Sequence, residues 1–121
     1  MATFKTPLDF LSVYAEGWTQ GYADKILRAC VPGYVFTDPG HDPKQVTYEN
    51  FREYLEGLKA TVRGKVGTLP IPFMKISHVI IADTLLVACC WWEIPGSGIA
   101  GTGLIEVSRF GVESEKVDYQ G

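Results

Sequence analysis

Hydrophobic and polar residues follow a helical period in three stretches of the first half of the chain. The first stretch opens with Thr6 and Pro7 and has Asp9 three residues after Thr6, which is typical of a helix N-terminus with a capping box. Glycine and proline residues interrupt the period between the stretches. The pattern predicts three helices, at residues 6–21, 22–30 and 47–62.

From Phe73 onward the period shortens to that of β-strands. Four apolar or alternating runs are separated by short turn signals, at residues 73–82, 85–94, 99–110 and 112–119, which indicates an antiparallel meander. A further short strand, from Tyr34 to Thr37, lies between the second and third helices. The order α-α-β-α-β-β-β-β predicts an α+β fold: a cone-shaped barrel in which three N-terminal helices pack on a curved, mainly antiparallel sheet.

Composition and charge narrow the class of protein. A chain of 121 residues is expected to form one domain, residues 1–121. The net charge of −3 and the lack of a basic cluster argue against a nucleic-acid surface. Without a membrane-length apolar run or a signal-like N-terminus, we expect a cytoplasmic protein that does not bind membranes. Cys30, Cys89 and Cys90 are expected to be three reduced thiols, because adjacent strand residues point to opposite faces.

Cofactor and metal motifs are weak. The run from Gly96 to Gly101 matches a dinucleotide-binding pattern by letter, but a strand follows it where the mechanism needs a helix. The Asp38-x-x-His41-Asp42 cluster resembles a metal site, but His41 and His78 are the two histidines of the chain and are not spaced to share an ion. We therefore expect no cofactor and no metal. His78 shares its strand face with apolar residues, which favours a core or subunit-interface histidine over a catalytic one.

Asp38 ends the Tyr34–Thr37 strand, and Pro39 and Gly40 then stop the strand in a turn. A carboxylate at such a strand end is partly desolvated without being sealed from solvent, which suits a general base. Aspartate is equally a common turn-capping residue, and that interpretation stays open.

Three segments of the chain resemble the ketosteroid isomerase-like and SnoaL-like members of the nuclear transport factor 2-like superfamily: Trp18–Gly21, Ile26–Leu27 and Tyr34–Gly40. The resemblance covers nearly the whole chain in element order, and the Asp-Pro-Gly strand end is its most specific motif. It implies the cone-shaped α+β barrel, often dimeric through the outer face of the sheet. Members range from isomerases to cyclases, dehydratases and non-catalytic binders, so fold does not assign activity.

Carried over by position, the isomerase pattern implies that Asp38 is a general base and that Tyr14, on the inner face of the first helix, is an oxyanion donor. Glu106 matches the second donor, which in the isomerases is an aspartic acid kept protonated. The longer glutamate moves this donor by about 1 Å. Residue alternation alone leaves open whether Glu106 faces inward or is exposed at a strand edge. The three residues together imply enolisation without a cofactor.

We expect an apolar pocket for a small carbonyl compound. The alternative for each candidate residue is an ordinary place in the hydrophobic core. They are Trp18, Phe36, Phe51, Tyr54, Phe73, Trp91, Trp92 and Leu104. If Glu106 faces inward, Ile105 and Val107 form an outer apolar patch, which predicts a homodimer through the sheet. Two functions stay open: an enzyme resembling ketosteroid isomerase or polyketide cyclase, and a non-catalytic ligand-binding or assembly domain of the same fold.

Overall fold

The computed structural model describes residues 6–82 and 86–120. It confirms the α+β class, with three helices and six strands in the described part of the chain. The helices are α1 (Pro7–Gln20), α2 (Ala23–Arg28) and α3 (Phe51–Val66); the strands are β1 (Cys30–Thr37), β2 (Gln45–Thr47), β3 (Lys75–Ala82), β4 (Leu86–Ile94), β5 (Ile99–Ser108) and β6 (Gly111–Tyr119).

The segment between β1 and α3 differs from the prediction. Residues 45–47 were expected to be loop and helix start, but they form β2, in which Thr47 pairs with Val35 of β1. The third helix therefore begins at Phe51 and continues to Val66. The turn predicted after Ala82 lies mostly outside the described residues.

Helix α1 has the predicted ends. Thr6 Oγ1 accepts a hydrogen bond from the Asp9 backbone N–H at 3.3 Å, and Asp9 Oδ2 accepts one from the Thr6 N–H at 3.0 Å. Gly21 ends the helix with φ 68°, a left-handed conformation that glycine adopts without strain. These two ends fix the helix so that Tyr14 and Trp18, one turn apart, are both buried.

The six strands form one sheet in the order β2-β1-β6-β5-β4-β3. Neighbouring strands are antiparallel except β1 and β6, which run parallel. Helix α1 contacts β3, β5 and β6, and α2 contacts α3, so the helices cover one face of the sheet. An aromatic core fills the space between helices and sheet, with Tyr14, Trp18, Tyr34, Phe36 and Phe51 among its members.

Alternation along β5 decides which side chains reach this core. Ile105 and Val107 are buried, whereas Glu106 between them is exposed. The assignment of Glu106 to the pocket, which the isomerase resemblance implied, is therefore wrong, and Ile105 and Val107 do not form the outer patch that depended on it. Burying the two aliphatic side chains is favourable, whereas burying the glutamate would desolvate a charge.

Two further properties follow from the described residues. No helix among them is long and apolar enough to cross a membrane. Cys30, Cys89 and Cys90 are free thiols, as predicted, and the adjacent pair on β4 differs in burial because Cys90 faces the core.

Candidate active site

Between the helices and the sheet lies a cavity of about 30 Å³, which is room for about two water molecules. Next to it lies an open cleft of about 920 Å³. The cavity lining is mainly apolar and includes four of the expected pocket residues: Trp18, Phe36, Tyr54 and Trp92. Four described side chains line both spaces and thus form the wall between them: Tyr54, Leu58, Ile99 and Tyr119.

The other expected pocket residues lie elsewhere. Phe51 and Phe73 are buried in the core but are not part of the cavity lining. Trp91 and Leu104 are 38% and 40% exposed, so their assignment to the pocket is wrong. Trp91 faces outward because its neighbour Trp92 on the same strand faces inward.

Glu115 on β6 is the buried carboxyl group in this cavity, and it was not among the residues expected there from the sequence. It is 4% exposed and lies in register between Phe36 of β1 and Ile105 of β5. Tyr14 Oη donates a hydrogen bond to Glu115 Oε1. Tyr34 Oη lies 2.6 Å from Tyr14 Oη, so the three side chains form one continuous hydrogen-bonded chain.

Gly103 on β5 provides the space that this carboxyl group occupies. A Cβ at position 103 would overlap Glu115 Oε2 and would lie 2.9 Å from Cys90 Sγ. The glycine therefore lets a glutamate side chain lie flat against the inner face of the sheet.

The environment of Glu115 favours its neutral form. Burial raises the pKa of Glu115 to about 7, although the hydrogen bond from Tyr14 acts in the opposite direction. Burial and the nearby Glu115 charge raise the pKa of Tyr14 well above its usual range. Near neutral pH, Glu115 thus exchanges between acid and carboxylate while Tyr14 keeps its proton.

A weak sequence signal marks Glu115. Along β6, Glu115 and Val117 are buried, whereas Lys116 and Asp118 on the other face are exposed. An apolar Val117 opposite two charged neighbours indicates which face is inward, and the period of two then places Glu115 on that face.

Asp38 lies at the cleft side of the wall and is 4% exposed. Its Oδ2 accepts a hydrogen bond from Tyr54 Oη at 2.6 Å, and its Oδ1 accepts from Tyr119 Oη at 2.7 Å and from the Gly40 N–H at 2.8 Å. The Gly40 bond is a turn cap, so the capping interpretation of Asp38 is confirmed. A carboxylate has about four acceptor positions, and three of those of Asp38 are occupied by these donors.

Two polar atoms in the cavity lining have no hydrogen-bond partner among the described residues: Trp18 Nε1 and His78 Nε2. His78 is half-buried and lines both the cavity and a surface cleft beside α1, and burial lowers its pKa. In contrast, Trp92 Nε1 donates to the Thr102 carbonyl at 3.0 Å. The cavity therefore contains unused hydrogen-bonding capacity.

No protein-family model matches the sequence, and no curated protein matches it either. Solved structures do share the fold. An NTF2-like protein of unknown function from Cytophaga hutchinsonii is 14% identical with a TM-score of 0.62, over 99% of this chain and 95% of the other. The epoxide hydrolase/cyclase-like enzyme SalBIII, which has a role in pyran ring formation in the polyether salinomycin, is 14% identical with a TM-score of 0.60, over 94% and 90%.

A proposed polyketide cyclase from Xanthomonas campestris is also similar, at 11% identity and a TM-score of 0.60 over 94% of this chain and 90% of the other. Identities this low show the fold alone. The chain has the nuclear transport factor 2-like fold, as the sequence resemblance implied.

Proposed function

We propose that this protein is an enzyme that performs acid–base, enolisation-type chemistry on a small, largely apolar carbonyl compound without a cofactor. The observation that carries the proposal is a pair of buried carboxyl groups on the two sides of the wall between cavity and cleft. Glu115 lies in the mainly apolar cavity lining and accepts from Tyr14, and Asp38 lies on the cleft side and accepts from Tyr54 and Tyr119 of the wall. Such a pair divides into a base and an acid when its two environments differ.

In this proposal Asp38 removes the proton next to the ligand carbonyl, using the acceptor position that its tyrosine and glycine donors leave open. The ligand oxygen accepts hydrogen bonds from Tyr14 and from protonated Glu115, in place of the bond that these two make with each other. Two donors in a water-poor site stabilise the enolate oxygen as charge develops. Glu115 thus takes the role that the sequence resemblance implied for Glu106.

The likeness to a proposed polyketide cyclase and to an epoxide hydrolase/cyclase-like enzyme supports acid–base chemistry on oxygen-containing carbon skeletons. Proton abstraction next to a carbonyl is the first step shared by isomerisation, aldol-type cyclisation and dehydration. This shared proton abstraction is the step that we propose for this protein.

An experiment on this step needs no knowledge of the natural substrate. Enolisation in D₂O exchanges protons next to the carbonyl for deuterium, and ¹H NMR of 4-methylcyclohexanone measures the loss of those signals. We expect catalysed exchange, and a decrease of at least about 10²-fold in Asp38→Asn, which keeps the shape but removes the base. Tyr14→Phe should also slow exchange. Glu115→Gln should slow it more than Glu106→Gln, a matched change of an exposed glutamate.

The alternative is a non-catalytic ligand-binding domain. Two observations support this alternative. Asp38 already accepts three hydrogen bonds, which weakens it as a base, and the cavity has room for about two water molecules. On this alternative the ketone binds equally well to the natural chain and to Asp38→Asn, and neither protein exchanges protons. That pair of results would exclude the enzyme proposal for this class of ligand.

We also propose that the chain forms a homodimer through the outer face of the sheet. Trp91 and Leu104 are exposed there, on adjacent strands, with half-buried Cys89 directly opposite Leu104. Exposed apolar side chains grouped on one face are typical of an association surface. These residues replace Ile105 and Val107 as the basis of the dimer.

A further inference from the structure

The cavity contains a hydrogen-bond donor that the proposed chemistry does not use. Trp18 is only 4% exposed, and its Nε1 has no partner among the described residues. An indole N–H can only donate, and leaving a buried donor unpaired costs about 1–3 kcal/mol. Trp92 lines the same cavity but already donates to Thr102. The unpaired donor at Trp18 is therefore a local feature of one cavity position and not a general property of its tryptophans.

His78 supplies a second unpaired group in the lining of the same cavity. Its Nε2 is buried without a partner among the described residues, and a neutral imidazole nitrogen either donates or accepts. Each group suits an oxygen atom, which accepts a hydrogen bond from Trp18 Nε1 and either accepts from or donates to His78 Nε2. They do not suit a hydrocarbon.

We propose that the ligand carries two oxygen functions, one bound by Tyr14 and Glu115 and the other accepting a hydrogen bond from Trp18 Nε1. This inference rests on the function proposed above, since it places the ligand in the same cavity. Tyr14 and Trp18 lie one turn apart on α1, with their ring centroids 6.4 Å apart, so both side chains reach the same cavity.

The size of the cavity defines how such a ligand binds. Its volume of about 30 Å³ accommodates about two waters. A ligand larger than this volume needs part of the space that Tyr54, Leu58, Ile99 and Tyr119 occupy between the cavity and the open cleft. A ligand oxygen then replaces a water at Trp18 and keeps its hydrogen bond, whereas a methyl group at that point loses it.

Two probes of equal heavy-atom number test the proposal: 1,4-cyclohexanedione, and 4-methylcyclohexanone, in which a methyl group replaces the second oxygen. Affinities are measured by NMR titration, following the indole N–H signals of the three tryptophans, assigned with single variants. We expect the dione to shift the Trp18 signal. We also expect Trp18→Phe to lower the dione-to-methylketone affinity ratio by about fivefold, the effect of one neutral hydrogen bond. Trp92→Phe, which removes an N–H already bonded within the protein, should leave the ratio unchanged.

The proposal is overturned if Trp18→Phe leaves the ratio unchanged, if Trp92→Phe changes it equally, or if neither probe shifts the Trp18 signal and the cavity holds water only. The ratio is internal to each variant, so a modest loss of stability in Trp18→Phe does not affect it. Deuterium exchange of the same probes reports separately on the proposed function. A ratio that falls in Trp18→Phe without any exchange supports the ligand class and rejects the enzyme.

Discussion

Replacing Glu115 by glutamine is expected to change how the stability of the protein depends on pH. The substitution keeps the shape of the side chain and its ability to accept from Tyr14, but it removes the titratable group that burial perturbs. Burial raises the pKa of Glu115 from 4.5 to about 7, whereas the unfolded chain has the usual value. Between those two pH values the folded protein binds more protons than the unfolded chain. The free energy of unfolding therefore falls as pH rises across this window.

The magnitude follows from the same pKa values. A rise from 4.5 to about 7, at about 1.4 kcal/mol per pKa unit, corresponds to about 3 kcal/mol of unfolding free energy. The raised pKa has no effect well below pH 4.5, and its full destabilising effect is reached above pH 7. Burial raises the pKa of neighbouring Tyr14 and Tyr34 and lowers that of His78, and all three are present in every variant compared.

Urea unfolding at pH 5 and pH 8 measures this effect, with Glu106→Gln as the matched control on an exposed glutamate. Between these pH values the natural chain and Glu106→Gln should lose about 2–3 kcal/mol more stability than Glu115→Gln. Equal pH dependence in the two glutamine variants would show that Glu115 is not held neutral by burial. The role of Glu115 as a hydrogen-bond donor to the ligand would then lack its physical basis.

Two further predictions concern the sheet. Gly103→Ala should lower the free energy of unfolding by about 1–3 kcal/mol and slow ketone exchange, because the new Cβ overlaps the Glu115 carboxyl group. Gly33→Ala on β1, with open space around it, should do neither. Equal effects of the two variants in urea unfolding and in exchange would contradict this role for Gly103. Trp91→Glu should convert the proposed homodimer to monomer in sedimentation at tens of micromolar without affecting deuterium exchange, and a natural chain that is already monomeric there would reject the dimer.

Local sequence determined the features that depend on a few adjacent residues. The capping box at Thr6 and the glycine at position 21 define α1, because each acts on backbone groups within one turn. Asp38 was predictable as a strand-end carboxylate because Pro39 and Gly40 stop the strand immediately after it. The order of helices before strands likewise indicated the α+β class, which the structure confirms.

Only the tertiary structure decided which face of each strand lies inside. Alternation divides each strand into two faces. On β5 it left the position of Glu106 open, and on β6 only Val117 marked the inner face, so Glu115 was not identified. The choice depends on residues far apart in the chain: Gly103 makes space for Glu115, and the Tyr14 hydroxyl supplies its hydrogen bond. A carboxyl group can be buried where residues distant in the sequence provide space and a hydrogen-bond donor, and only the packed fold brings those residues together.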